Sequence, residues 1–295
     1  MINAKPVKKW IKNNIKNVHK EFQINKKEIS PDEYVTYFPF SEESNSYVIS
    51  DTQQNYELCE QGLPIPPKNL WLGYGENNKQ YLSGKRQIVK MIEILDESSF
   101  NLEEPNKILD FGCGAGRMIR WLYPYTKNSQ IWGTDIGSDM IVWAKKYLNP
   151  PFNFLTNTTT PALPFESKYF NLIYAGSVFT HIDDLVEAWF LELNRILEPE
   201  GRIFITIQDN HSIKLLNESK FYKNIWLAKY LRENDFFNNN KNSFEKLVCM
   251  RGTRSQVFYN IDYFCNSVSS YFEVISVNQE AYGFQTGVLL KKRIK

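Results

Sequence analysis

The sequence predicts a doubly wound α/β fold: a mostly parallel seven-stranded sheet, layered by helices and closed by an antiparallel C-terminal hairpin. Three observations carry this expectation. Short apolar runs alternate with amphipathic stretches from Lys107 to Gln208, a glycine-rich turn follows the first run, and two β-rich runs joined by a turn end the chain. A chain of 295 residues, 42% hydrophobic, can bury one large core, and a net charge of +2 makes no general demand for nucleic acid or an acidic partner.

Taken in order, the elements begin with a basic amphipathic helix. Eight lysines and a single acid, Glu21, lie between Lys5 and Lys27, while Ile11, Ile15, Val18 and Phe22 recur at helical spacing. Its apolar stripe is expected to pack on the protein, with docking on a membrane surface or a partner as the other readings. An irregular, Pro- and Ser-rich segment, 30–68, leads to "GKRQIVKMIEILDES", where Ile88, Met91, Ile92 and Leu95 share a helical face. The strands "KILDF", "QIWGTD", "FNFLT", "FNLIYAG" and "RIFITIQ" follow, with helices expected over 116–124, 138–148 and 183–197. Beyond Gln208 the alternation breaks into a helix over 213–232, an Asn-rich loop "DFFNNNKNS", a strand-like "KLVCM" and a helix near 261–270, before the closing "YFEVISV" and "TGVLLKK". We therefore divide the chain into an N-terminal extension, 1–84, and an α/β domain, 85–295, with a lid-like insertion over about 209–258.

Four widely spaced cysteines without a CxxC pair indicate reduced thiols in a cytoplasmic protein. Neither a signal-peptide core nor a bilayer-spanning apolar run is expected. No metal-binding spacing is evident either.

In "ILDFGCGAGRMIRWL" an apolar strand ends at Asp110 and is followed by Gly112, Gly114 and Gly116. Glycines serve where the backbone turns tightly and must approach a ligand. The spacing is GxGxG, with Arg117 where a dinucleotide fingerprint would carry its third glycine, and no Gly-Lys-Ser/Thr ending marks a P-loop. The next strand ends at Asp135, nineteen residues after Gly116, where a carboxylate can accept from both ribose hydroxyls. Together these features imply an adenosine-type cofactor with no pyrophosphate.

At this point the sequence resembles the class I S-adenosylmethionine-dependent methyltransferases over about residues 85–293. The resemblance rests on "LDFGCGAGR", "GTDIGSDMIVWA", "TPALPFESKYFNLIYAGSVFTHI", "ELNRILEPEGRIFIT" and "YFEVISV…GFQTGVLLKK". It implies a Rossmann-like methyltransferase fold and S-adenosyl-L-methionine as cofactor, with S-adenosyl-L-homocysteine as product. Gly112, Gly114 and Gly116 would admit the cofactor's methionine part, with Asp110 near its ammonium group or ordering the loop. Asp135 would take the ribose, Ile136 would pack on the adenine, and Asn157, where many members have Asp, would meet the adenine amino group. Cys113, Arg117, Met140, Gly176 and Ser177 complete the expected cofactor surroundings. "SVFTH" and the closing Gly-Phe-Gln resemble a bacterial group linked with glycan or small-molecule modification.

Ligands in such sheets sit outside the carboxyl ends of the strands, so His181, after the fourth strand, faces the position of methyl transfer. A hydroxyl acceptor needs its proton removed, and an imidazole can do this; His211, after the fifth strand, is the rival base. The other readings of His181 are a pocket wall and a structural hydrogen bond. The insertion offers Tyr222, Trp226, Arg251, Arg254 and Tyr259 to a polar or anionic small molecule or saccharide precursor. An amine acceptor, an NAD-dependent oxidoreductase and a cofactor-binding subunit without turnover are the competing readings. Nucleic acid is disfavoured by the charge balance and by the absence of an Asn/Asp-Pro-Pro-Tyr/Phe motif. Oligomeric state is not encoded in any motif.

Overall fold

The structure is a computed structural model that describes residues 56–250 and 255–293. The basic helix expected over 5–27, and the candidates Arg251 and Arg254, lie outside the described residues.

Helix α1 (Gly84–Glu97) precedes β1 (Lys107–Phe111), β2 (Gln130–Asp135), α2 (Ser138–Tyr147), β3 (Asn153–Thr156), β4 (Phe170–Ala175), α3 (Val186–Ile196) and β5 (Leu197–Asp209). The insertion supplies α4 (Asn210–Glu218), α5 (Trp226–Glu233), α6 (Asp235–Asn240), β6 (Lys246–Cys249) and β7 (Gln256–Tyr259). The chain then forms α7 (Ile261–Val268), β8 (Phe272–Tyr282) and β9 (Gln285–Lys292).

The sheet runs β3-β2-β1-β4-β5 with every neighbour parallel, and β9 joins β5 antiparallel with β8 beyond it. Strand order reverses at β1, and this opens a crevice at the carboxyl ends of β1 and β4. Side chains alternate across the sheet as a pleat requires. Leu172 and Tyr174 of β4 join the core beneath α1 and α2, whereas Ile173 and Ala175 join the core beneath α3 and α7. Residues 56–82 belong to the first of these cores through Cys59, Leu63, Ile65, Trp71 and Tyr81. Arg120, fully buried, ties that segment to the glycine loop by donating to the Pro64 carbonyl at 2.8 Å and the Gly116 carbonyl at 2.8 Å.

The seven strands expected of the sheet are present, and among the described residues it has nine: the insertion adds β6, expected as the strand-like "KLVCM", and an unexpected β7. β7 pairs with β5 at Gln208 and Asp209, past the last β4 pairing at Ala175, and β6 pairs antiparallel with β7. The Val257 amide also donates to the Thr180 carbonyl at 2.8 Å, which binds the insertion to the loop after β4.

Three further elements depart from expectation. The helix expected over 116–124 is a 3₁₀ helix over Ile119–Lys127. Gly116 has φ +80°, which no helical residue can adopt, and Pro124 removes the amide that would bond Arg120. The helix expected over 213–232 is split into α4 and α5 because "NESKFYKN" has no apolar stripe to continue it, and Phe221 there is 87% exposed. The Asn-rich loop is helix α6, where the Asn234 side chain caps the helix by accepting from the Phe237 amide at 2.8 Å. Phe237 is buried against Phe258 of β7, with ring centroids 5.6 Å apart, in a small core formed within the insertion. Phe258→Ala should cost about 3–5 kcal/mol, read as a fall in the urea midpoint. An unchanged midpoint would mean that this core does not contribute to global stability.

Candidate functional site

The glycine loop starts where β1 ends. Gly112 and Gly116 have φ +83° and +80°, and a Cβ on Gly112 would stand 2.3 Å from Val178 Cγ2. Thus the first glycine is required by the close approach of the loop after β4, the two strands on either side of the crevice. Asp135, at the tip of β2, accepts from the Gly114 amide through Oδ2 at 2.7 Å and from the Gly137 amide through Oδ1 at 2.7 Å. It is buried, and burial raises its pKa against the opposing pull of those amides. The Ile136 amide adds to that pull, and a carboxylate, with about four acceptor positions, still has capacity for a ligand. Next to it Ile136 is 43% exposed, an apolar side chain left uncovered beside a buried acid. The Asn157 amide donates to the Asp135 carbonyl at 3.0 Å, while its Oδ1 is buried with no partner.

Asp110 is buried at the end of β1, and its Oδ2 has no partner. Burial drives its pKa from 3.8 to about 7, opposed by the Tyr174 hydroxyl. Folded Asp110 therefore favours the protonated form more than the unfolded chain does. Its contribution to stability is full below pH 3.8 and lost as pH rises to about 7, on the order of 4 kcal/mol in all. Asp110→Asn is accordingly expected to stabilise the ligand-free protein increasingly between pH 4 and pH 7. A pH-independent difference in melting temperature would contradict that assignment. Met140 is buried, with its Sδ over Gly114, and Cys113 is buried beneath the loop, where it bonds the Gly114 carbonyl. Orphaned acceptors on Asp110 and Asn157, a glycine cradle and an uncovered Ile136 fit an adenosine-type cofactor carrying an ammonium group.

A cavity of roughly 420 Å³ adjoins this region. Its wall includes Ser177, Thr180 and His181 from the loop after β4, Arg117 from the glycine loop, and Tyr222 and Trp226 from the insertion. Gly176 precedes them, packed so tightly that a Cβ would lie 2.6 Å from Met118 Sδ. Ser177 has φ +61°, a left-handed conformation that a side chain adopts at a cost. It is held there: its amide donates to Thr206 Oγ1 at 2.7 Å and its hydroxyl accepts from Gln285 Nε2 at 2.8 Å.

His181 Nδ1 lies 2.7 Å from the Ser255 carbonyl. A carbonyl only accepts, so this shorter bond calls for the proton on Nδ1, with the lone pair of the neutral ring on Nε2; Gln256 Nε2 lies farther from Nδ1, at 3.3 Å. The surrounding protein, by displacing water, lowers the imidazole pKa below 6.5, and the Ser255 carbonyl opposes this.

Not every expected residue meets there. His211 lies in the first turn of α4, 3.3 Å from Glu280 Oε1, and does not line the cavity. Tyr259, expected at the substrate, is buried in the core under α7 against Phe264, because alternation along β7 turns it away from the cavity. Sequence reasoning missed Tyr74, Gln87 and Tyr282, which surround Arg117. The only available signal was that Tyr282 precedes the closing Gly-Phe-Gln.

Fold and site together define a Rossmann-like α/β protein with a nucleoside-type cofactor crevice. The methyltransferase domain family matches residues 83–247, and the chain belongs to that family. Among curated relatives, it is 29% identical over 138 residues to the malonyl-[acyl-carrier protein] O-methyltransferase of Legionella pneumophila, covering 45% of each chain. It is also 29% identical over 124 residues to an uncharacterized methyltransferase of Schizosaccharomyces pombe, covering 38% of this chain and 42% of that one. The chain thus spans less than half the length of these relatives. The fold is shared with the PH0226 protein of Pyrococcus horikoshii, at a TM-score of 0.51 and 19% identity over 75% of this chain and 95% of that one. It is shared as well with a S-adenosylmethionine-dependent methyltransferase of Clostridium acetobutylicum, at a TM-score of 0.50 and 13% identity over 70% and 91%. Among the described residues no helix is long and apolar enough to cross a membrane.

Proposed function

We propose that the protein is an S-adenosylmethionine-dependent methyltransferase that modifies a hydroxyl of a small molecule or saccharide precursor, with His181 as general base. The observation that carries the choice of acceptor atom is the His181 tautomer: Nδ1–H bonded to the Ser255 carbonyl, Nε2 unprotonated, in the cavity beside the crevice. Family membership and the fit of the crevice support the cofactor.

In this reading Asp135 accepts from the ribose hydroxyls while keeping its amide bonds to the glycine loop, and Ile136 covers one adenine face. Asn157 Oδ1 accepts from the adenine amino group, and Asp110 meets the ammonium group. When bound, S-adenosylmethionine supplies a methyl group already activated by its sulfonium. The work left to this chain is to position the acceptor, exclude water and hold a proton at His181 Nε2. Ser177 and Thr180, with hydroxyls 3.2 Å apart, shape the wall between crevice and cavity. Four free cysteines suit a reducing, cytoplasmic compartment. The Legionella relative is named an O-methyltransferase, which also favours oxygen. The likeness of "SVFTH" and the closing Gly-Phe-Gln to a bacterial group linked with glycan or small-molecule modification agrees with a small-molecule or saccharide acceptor.

The test is release of S-adenosylhomocysteine from a panel of hydroxyl and amine acceptors. Turnover on hydroxyls that depends on His181 supports the reading. Turnover confined to amines, unaffected by replacing His181 and His211, replaces it with N-methylation.

A further inference from the structure

Arg117 is 7% exposed, yet among the described residues no carboxylate pairs with it. Its Nη1 donates to Gln87 Oε1 at 3.1 Å and its Nη2 to the Tyr282 hydroxyl. The Tyr282 hydroxyl in turn donates to the Tyr74 hydroxyl at 3.0 Å. The guanidinium lies over the Tyr74 ring, 4.1 Å from its centroid, and 5.3 Å from that of Tyr282. A guanidinium has five N–H donors, and two of them are used here. A buried cation without an anion is costly; Arg120, likewise buried without one, has its donors taken up by backbone carbonyls, whereas Arg117 has the Gln87 and Tyr282 side chains. Asp110 feels the charge of Arg117 without contacting it.

Arg117, expected among the cofactor surroundings, instead lines the cavity of His181, Tyr222 and Trp226, whereas Asp135, Ile136 and Asn157 do not. Trp226 is 57% exposed and stacks on Tyr230, with ring planes 12° apart, so the insertion offers a flat aromatic surface in the same cavity. We propose that the acceptor is a ring compound bearing a carboxylate or phosphate, its anion seated on Arg117 within the tyrosine pair and its ring against Trp226. The inference rests on the methyltransferase reading and narrows its acceptor to a ring-shaped acid. A planar fork inside two phenol rings suits a two-oxygen anion better than a hydroxyl or an amine.

The full chain, saturated with S-adenosylhomocysteine, is titrated calorimetrically with benzoate, phenyl phosphate and glucuronate, and with the neutral benzamide and glucose. At least one acid should bind about tenfold more tightly than its neutral counterpart, and Arg117→Gln should abolish that preference while changing S-adenosylhomocysteine affinity by less than about threefold. Equal binding of acids and neutral compounds by the wild-type chain overturns the proposal, whether or not the variant folds. So does loss of S-adenosylhomocysteine affinity in Arg117→Gln with the acid preference retained, since the anion on Arg117 is then the cofactor's own carboxylate. If the wild-type chain does not bind S-adenosylhomocysteine, the methyltransferase reading fails. If it binds and the acids are ignored, only the present inference falls.

Discussion

Asp135→Ala should abolish the thermal stabilisation that S-adenosylhomocysteine confers on the wild-type chain. A ligand at a hundred times its Kd stabilises a protein by about 2.7 kcal/mol, a clear shift in melting temperature for a chain of this size. The substitution removes the proposed ribose acceptor, and it also strips the Gly114 and Gly137 amides of their partner. Each buried amide left unsatisfied costs about 1–3 kcal/mol, so the variant should begin from a lower melting temperature as well. The two effects separate in Asp135→Asn, whose one carbonyl oxygen can satisfy one amide while the ribose loses a charged acceptor. The baseline should recover in part and the ligand shift should not. A full ligand shift in either variant would remove Asp135 from the cofactor site and leave it a brace for the glycine loop.

The second large effect belongs to His181. His181→Ala should lower kcat on a hydroxyl acceptor by about 100-fold or more, the usual worth of a general base, with S-adenosylhomocysteine affinity little changed. The same change at His211, which faces Glu280 and not the cavity, should leave kcat near the wild-type value. A base works deprotonated, and partial desolvation at the cavity wall lowers the imidazole pKa from 6.5, against the pull of the Ser255 carbonyl. The acid limb of kcat/KM should therefore fall below pH 6.5, with full activity retained at neutrality. Stability follows the same sign: the folded state resists protonation of His181, so stability declines as pH drops through 6.5 and below. An activity limb above pH 7 that survives in His181→Ala would assign the titration to another group.

Much of this was legible in the residues because it depended on local patterns. Apolar runs such as "KILDF" and "FNLIYAG" become central parallel strands because burial on both faces requires continuous apolar character. Gly112 and Gly116 announce themselves by spacing, and both adopt the positive φ that only glycine takes freely. What stayed hidden depends on distant partners. Tyr74 and Tyr282 meet across 208 residues of sequence, and no periodicity links them to Arg117. The Asn-rich stretch reads as a loop until Phe237 finds Phe258 and repays the cost of ordering a helix of poor intrinsic propensity. β7 is equally silent: four residues acquire meaning only when the end of β5 extends beyond its neighbour and offers unpaired main-chain groups.

That overhang decides how firmly the insertion is held to the sheet. Because β7 is joined to β5 and its Val257 amide to Thr180, the insertion cannot swing away as a rigid flap without breaking main-chain bonds at the rim of the sheet. Among the described residues the segment between α4 and α5, where Tyr222 and the exposed Phe221 sit outside regular structure, makes only local main-chain bonds and none to the sheet. The loop bearing His181 is thereby braced against the insertion through its neighbour Thr180, on the side where β7 extends the sheet.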